Sequence, residues 1–328
     1  MKRRAFLKVA GGAALSSPLI SSAFSTNKPY KIVRLYFAPI GPGMKPFDDG
    51  FFEGMRGRGY EQGRDFIFER VSAEGKPELI AERAAEAVRR NPDVILTSTV
   101  ELPLAIRRVS RTIPIVVGGA HDGVHAGLWE SLSRPGGNIT GVETLAPDLD
   151  IKHFEIAKEI IPDIKRVTVL YNPDDPTWDV HHETCKKGAE HVGVSLEVAT
   201  LRRVEDIDKC FQAIAESKPD ALITVDHGLF VANANQIGAA LAKHRIPSVH
   251  EFSLAVQAGG LASYGSNITS VFRRCAYFVD RILKGTNPAD LPAELPDVYE
   301  LAVNLKRAKE LGITLPYSLV SRADKVIE

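Results

Sequence analysis

Residues 134–141 read Arg134-Pro135-Gly136-Gly137-Asn138-Ile139-Thr140-Gly141, and this stretch separates two regions that share one sequence pattern. On each side of it, short apolar runs rich in β-branched residues alternate with longer amphipathic stretches. Apolar strands that alternate with helices are typical of a parallel sheet covered on both faces. The sequence therefore predicts an α/β protein made of two doubly wound parallel-sheet lobes.

Outward from that stretch, the spacing of apolar residues predicts the individual elements. Before it we predict strands at 31–37, 66–71, 93–97 and 113–117, and helices at 45–58, 77–90 and 100–109. After it we predict helices at 150–161, 178–192, 204–217 and 231–244, and strands at 166–171, 195–200, 221–225 and 247–249. A glycine-rich segment at 259–265 then precedes a long amphipathic helix at 271–284.

The bulk composition indicates a globular chain that does not bind nucleic acid. With 328 residues, 44% of them hydrophobic, the chain is long enough to fold as two domains. Lys plus Arg and Asp plus Glu both number 41, so the net charge is near zero and no basic excess is available for a polyanion.

Residues 1–26 predict an export signal, with a basic start followed by a short apolar run at 9–20. The run resembles the twin-arginine signal, and the residues that carry this resemblance are Arg3, Arg4, Phe6 and Leu7. Small residues before and at Ala23 suit cleavage there, which predicts a mature protein in the periplasm. An uncleaved N-terminal anchor is the alternative.

The three cysteines, Cys185, Cys210 and Cys275, are widely spaced within predicted helices and form no CxxC motif. We expect buried structural thiols. A bridge between Cys185 and Cys210 stays open as an alternative, because sequence does not supply the geometry.

Several segments resemble one known family when they are taken together and in order. They are 133–142 (SRPGGNITGV), 170–173 (LYNP), 220–222 (DAL), 259–265, 281–285 with 288–290, 303–312 (VNLKRAKELG) and 322–324. On these segments the chain is similar to the ABC-transporter substrate-binding proteins whose better-known members bind tryptophan, phenylalanine or tyrosine.

The resemblance implies the type I periplasmic-binding fold, with three strands crossing between the lobes. It places residues 28–140 and 259–298 in lobe 1, and residues 141–258 and 299–328 in lobe 2. It also implies a small-molecule ligand between the lobes, with an amino acid or a related carboxylate as a candidate. The implied partners are the permease and the ATPase of an ABC transporter. No cofactor is implied, and we expect a monomer.

Loops that follow the carboxyl ends of parallel strands should face the ligand. Ser98 and Thr99 end one such loop before a helix, where hydroxyl and N–H groups hold carboxylates well. The alternative is that either residue only caps that helix. Asp226 closes an apolar strand and is a candidate partner for an ammonium group, although aspartate is also common in turns.

Aromatic and amide side chains add further candidates. Asn172 and Trp178 belong to a proline-rich loop after a predicted strand, and Tyr264 ends a lobe-connecting strand. An aromatic wall suits an apolar or cyclic ligand. Phe37, in contrast, reads as a core residue.

Three histidines fall in predicted cleft loops, each beside an acid: His121 next to Asp122, His227 next to Asp226 and His250 next to Glu251. A metal cluster is one interpretation. No pair has the tight helical spacing of a zinc site, so we predict no metal and expect a histidine to donate to a polar ligand instead.

Two other classes of function remain as alternatives. An enzyme acting in the same cleft would need a catalytic motif, and no GxSxG, Walker A or HExxH sequence occurs. A ligand-sensing module of a receptor or regulator would need a DNA-binding or membrane-spanning segment, and the sequence predicts neither. We therefore predict a binding protein and not an enzyme.

Overall fold

The computed structural model describes residues 28–144, 147–225 and 227–328, so the predicted export signal and Asp226 lie outside it. The first elements are β1 (Tyr30–Tyr36), α1 (Lys45–Arg56), β2 (Phe66–Ser72), α2 (Ile80–Arg89), β3 (Val94–Thr97), α3 (Glu101–Val109), β4 (Ile115–Ala120) and β5 (Ile139–Glu143). The next are α4 (Pro147–Ile160), β6 (Arg166–Tyr171), α5 (Trp178–Val192), β7 (Ser195–Thr200), α6 (Ile207–Ser217), β8 (Ala221–Thr224), α7 (Gly228–Ala232), α8 (Ala234–His244), β9 (Ser248–His250), α9 (Ser253–Gln257) and β10 (Ala262–Ser266). The last are α10 (Ile268–Leu283), β11 (Tyr299–Asn304), α11 (Leu305–Leu311), α12 (Tyr317–Ser321) and β12 (Lys325–Ile327).

Two separate sheets confirm the predicted two-lobed α/β fold. The first sheet has the order β2-β1-β3-β4-β5 and is parallel throughout. The second has the order β12-β11-β10-β9-β8-β6-β7, and its strands from β6 to β10 are parallel. Both parallel parts follow the same doubly wound strand order, whose ligand sites lie outside the carboxyl ends of the strands.

The chain crosses between the sheets after β5, between β10 and α10, and again before β11. We assigned residues 259–298 to lobe 1 from the sequence, but β10 pairs with β9 and β11 of the second sheet. Strand β10 is therefore an interior strand of the second sheet, and only from α10 onward does this segment pack against the first sheet. Residues 284–298 return along β5, where Glu294 bridges to Val142.

Helix α10 covers the first sheet because its apolar residues recur at helical spacing, with Phe272, Cys275 and Val279 all fully buried. It packs closely against α1 at two glycines. A Cβ on Gly50 or Gly54 would overlap the α10 backbone at Thr269 or Arg273. The glycines of α1 therefore set how closely the two helices approach.

The predicted helix at 231–244 is two helices in the structure. A short α7 begins at Gly228 and ends before Asn233, and α8 continues from Ala234. The Asn233 side chain donates to the carbonyl of Leu229 at 2.8 Å, which holds the break. Asparagine competes with the backbone in this way, and apolar periodicity does not detect it.

The three thiols are unpaired, with Cys185 and Cys275 buried and Cys210 half-buried. None of the helices in the described ranges is long and apolar enough to cross a bilayer.

Candidate functional site

A cavity lies between the lobes, at the carboxyl ends of β1, β3 and β4. It encloses about 480 Å³ of space, part of which opens to solvent. The first lobe contributes most of its lining: Tyr36, Phe37, Ala38, Met44, Phe47, Ser98, Thr99, Gly118, Gly119 and Ile268. The second lobe closes it with Gly228, Val231 and Phe252. A mostly apolar cavity with a few polar groups, lying between two lobes, is typical of a small-molecule site.

The polar end of this interlobe cavity is the loop between β3 and α3. Ser98 and Thr99 are both half-buried there, as the sequence predicted for a cleft loop. The N-cap residue of α3 is Val100, whose side chain makes no cap, so neither Ser98 nor Thr99 is the N-cap of this helix. Uncapped N–H groups at a helix N-terminus favour an anion.

Thr99 adopts a left-handed backbone conformation, with φ of 59°. For a β-branched residue this conformation is an outlier that costs about 1–3 kcal/mol. Such strain concentrates at ligand sites, where the surrounding structure holds it in place. The strain at Thr99 is consistent with a loop shaped for ligand contact.

The apolar wall of the interlobe cavity is held from behind by a buried ion pair. Arg34 is 1% exposed, pairs with Asp48, and lies 4.3 Å from the ring centroids of both Tyr36 and Phe272. The Tyr36 hydroxyl donates to Asp48 Oδ1 at 2.8 Å, and burial raises the pKa of Tyr36 to about 12. Tyr36 is therefore fixed as a neutral aromatic wall residue.

A hydrogen-bonded pair joins the lobes beside the interlobe cavity. His227 Nδ1 accepts the N–H of Leu229 at 3.1 Å, so its Nε2 donates to Glu101 Oε1 at 3.0 Å. Burial would raise the pKa of Glu101, but the hydrogen bond and charge of His227, together with hydrogen bonds from the Glu101 backbone and from Thr99, lower that pKa to about 2. Glu101 therefore faces His227 as a carboxylate.

This pair borders a smaller polar space of about 240 Å³ that is also lined by Thr99, His121, Asp175 and Gly228. His121 of the first lobe approaches two groups of the second. Its Nε2 lies 4.0 Å from Glu251 Oε1, and its ring centroid lies 5.9 Å from that of His181. The lobes therefore meet through side chains as well as around a cavity.

Behind His181 is a buried network that the sequence analysis missed. His181 Nδ1 lies 2.9 Å from Asp150 Oδ2, which also accepts from Thr184. Burial would raise the pKa of Asp150, but His181 and Thr184 lower it. Burial lowers the pKa of His153, whose Nε2 lies 2.7 Å from the carbonyl of Tyr264. These residues sit on helices, where no strand-end rule would have located them.

His250 is part of the second lobe's polar core. Its two ring nitrogens lie 2.8 Å from Thr224 Oγ1 and 2.9 Å from Ser248 Oγ. Burial lowers its pKa to about 3, so the ring is neutral at physiological pH. The ring thus already has a hydroxyl partner at each nitrogen.

The other predicted site residues in the described ranges do not line either of these two cavities. Asp122 accepts from the N–H of His125, and Asn172 accepts from the N–H of Asp174, each in a turn. Trp178 stacks between Tyr171 and His182, with centroid distances of 3.4 and 5.0 Å. Tyr264 stacks on Tyr299 at 6.1 Å. Their predicted ligand contacts remain predictions, as does that of Asp226.

Three lining residues were not among the predicted site residues, and one of them, Phe37, was predicted to be a core residue. Phe37 is 5% exposed and belongs to the hydrophobic core, yet it also borders the interlobe cavity. Met44 immediately precedes α1 and Phe47 lies in its first turn. The signal that could have located them is the helix N-terminus that follows β1. In the described parts of the chain, no three His, Cys, Asp or Glu side chains converge to hold a metal ion.

The family of the chain follows from comparison with known proteins. Residues 38–327 match the model of the family described as ABC transporter substrate binding protein. The match covers most of the chain, so the protein belongs to this family, and the predicted family is confirmed.

Individual relatives agree with this assignment. The chain is 24% identical over 279 residues to a tyrosine-binding protein of Clostridioides difficile, which covers 83% of this chain and 78% of that one. A conserved domain protein from Vibrio cholerae is 29% identical with a TM-score of 0.84, over 91% of this chain and 100% of that one. An ABC domain from Streptococcus pneumoniae, solved with L-Trp, is 24% identical with a TM-score of 0.84, over 92% and 100%.

Proposed function

We propose that the protein captures a small carboxylate with an apolar body, such as an amino acid, and delivers it to the permease and ATPase of an ABC transporter. The observation that carries this proposal is the interlobe cavity, which combines an aromatic wall with the uncapped N-terminus of α3. The wall would bury the body of the ligand, and the N–H groups with the Ser98 hydroxyl would hold its carboxylate.

The location we propose is the periplasm, after export through the signal at residues 1–26. Its support is the basic and apolar pattern around Arg3, Arg4, Phe6 and Leu7, together with the family of the chain. We propose a monomer that does not bind nucleic acid, in keeping with the zero net charge.

We propose a binding role without catalysis. Contacts between the lobes, such as that between Glu101 and His227, would stabilise a closed state, and a ligand that touches both lobes would stabilise it further. The transporter can read the closed state only if the ligand binds it better than the open state.

A thermal-shift screen of amino acids and aromatic acids tests the proposal. A ligand at 100 times its Kd adds about 2.7 kcal/mol to the free energy of unfolding. The cavity-filling variant Ser98→Leu should lose this shift, whereas Ser133→Leu, at an exposed position, should keep it. Chemical turnover of any screened acid by the pure protein would refute a purely binding role.

A further inference from the structure

A second cavity, of about 400 Å³, lies within the second lobe. Its lining consists of Thr224, Phe230, Val231, Ala234, Ile237, His250, Glu251, Phe252, Leu254 and Ala255. Thr224 ends β8 and His250 ends β9, so the cavity lies at the carboxyl ends of these parallel strands. It is therefore the second lobe's counterpart of the interlobe cavity, on the side where doubly wound sheets bind ligands.

Two side chains, Val231 and Phe252, line both cavities and form the wall between them. Phe252 is half-buried and belongs to none of the three hydrophobic clusters formed by the described residues. A core residue is normally held by many apolar neighbours. Phe252 has cavity space on both sides instead, so a change of its rotamer would connect the two spaces.

The chemistry of the second cavity favours an apolar occupant. Phe230 and Ile237 belong to the hydrophobic core, and Leu254 and Ala255 add further apolar surface. Among its polar lining groups, Thr224 and His250 are hydrogen-bonded to each other at 2.8 Å. Glu251, which also lines the cavity, is 6% exposed.

We propose that the second cavity is a subsite for the apolar tail of an elongated carboxylate, and that Phe252 is the side chain that sets the length of ligand the protein accepts. This inference rests on the proposed function, because the carboxylate end stays at the N-terminus of α3.

Three acids that differ by one methylene each test the subsite: L-phenylalanine, L-homophenylalanine and L-2-amino-5-phenylpentanoate. Calorimetry would give their Kd values for the wild type, for Phe252→Ala and for Phe252→Ala combined with Ala255→Leu. Ala255 lines only the second of the two cavities, so a leucine there fills the subsite without entering the interlobe cavity.

In Phe252→Ala, each added methylene should tighten binding about fourfold, the factor expected for burying one CH₂ group. The Kd of the longest acid divided by that of the shortest should therefore be at least tenfold lower in Phe252→Ala than in the wild type. Adding Ala255→Leu should reverse the shift. A crystal structure of the wild type with the longest acid should place its phenyl ring in the second cavity, which tests the subsite even if Phe252→Ala folds poorly.

Two results separate this inference from the proposed function. If the wild type and Phe252→Ala bind the shortest acid but rank the three acids alike, the subsite is wrong and the proposed function stands. If neither protein binds any acid of the series, both are overturned.

Discussion

His227 of the second lobe donates from Nε2 to Glu101 of the first lobe across 3.0 Å, and this contact lies beside the interlobe cavity. Glu101 is the first residue of α3, and His227 immediately precedes α7. Each side chain is thus fixed by the start of a helix in its own lobe. The pair joins the two lobes, so we expect it to stabilise a closed arrangement of the lobes.

Glu101→Gln should weaken ligand binding about fivefold, because loss of the carboxylate removes roughly 1 kcal/mol from the closed state. Calorimetry with the acid selected by the screen measures the change. The matched control is Glu183→Gln, which removes an exposed acid that pairs with Lys186 within α5 at 2.7 Å. Equal Kd values for Glu101→Gln and the wild type would show that this pair does not stabilise closure.

Gly228→Val should hold the lobes apart. A Cβ at Gly228 lies 3.0 Å from Phe37 Cδ1 and 3.3 Å from Thr99 Cγ2, and both neighbours belong to the opposite lobe. The two methyl groups of valine would overlap them further, so we expect at least a tenfold loss of ligand affinity and a larger radius of gyration by small-angle scattering.

Gly43→Val is the control for this variant, since a Cβ there meets no atom within 4 Å. It should leave both the affinity and the radius of gyration unchanged. A Gly228→Val protein that compacts with ligand as the wild type does would contradict the closed arrangement.

The fold was predictable because its signals are local. The segment from β6 through α5 to β7 begins and ends at the predicted residues. This agreement is possible because the spacing of apolar residues within each segment indicates whether it forms a strand or a helix. The strand-end rule also placed Ser98 and Thr99 beside the cavity before any contact was known.

The remainder of the site depends on how the lobes meet. Glu101 and His227 are far apart in sequence, and nothing around Glu101 marks its partner in the other lobe. Asp150 and His181 face each other from α4 and α5, where an amphipathic pattern indicates only that one helix face is buried. Helix–helix and lobe–lobe geometry is a tertiary property, which residue spacing along one segment does not encode.

Asp48→Asn should destabilise the first lobe by about 3 kcal/mol. The substitution removes the carboxylate that pairs with Arg34, and a buried cation left without its partner is costly. Denaturant unfolding measures the loss. The neighbouring Asp49 is a matched control: it pairs with Lys45 while 53% of its side chain is exposed, so Asp49→Asn should change stability by less than about 0.5 kcal/mol. Similar losses in both variants would show that the Arg34 pair is not what holds the wall.

The neutral His250 should make the second lobe sensitive to acid. Its folded pKa of about 3 lies below the unfolded value of 6.5, so between these values the unfolded chain binds more protons at this site than the folded chain. The contribution of His250 to the free energy of unfolding is therefore complete above pH 6.5. It falls as the pH drops toward 3, by roughly 1.4 kcal/mol per pH unit.

Between pH 6.5 and 5, the wild type should thus lose roughly 2 kcal/mol more of its free energy of unfolding than His250→Gln does. Glutamine keeps donor and acceptor groups near Thr224 and Ser248 but does not titrate, so it removes the proton uptake and leaves the packing similar. Denaturant unfolding at each pH gives both curves, and His125→Gln, at an exposed position, should follow the wild type. Parallel curves for the wild type and His250→Gln would mean that His250 is protonated in the folded protein, against the burial and the two hydroxyl contacts that favour the neutral ring.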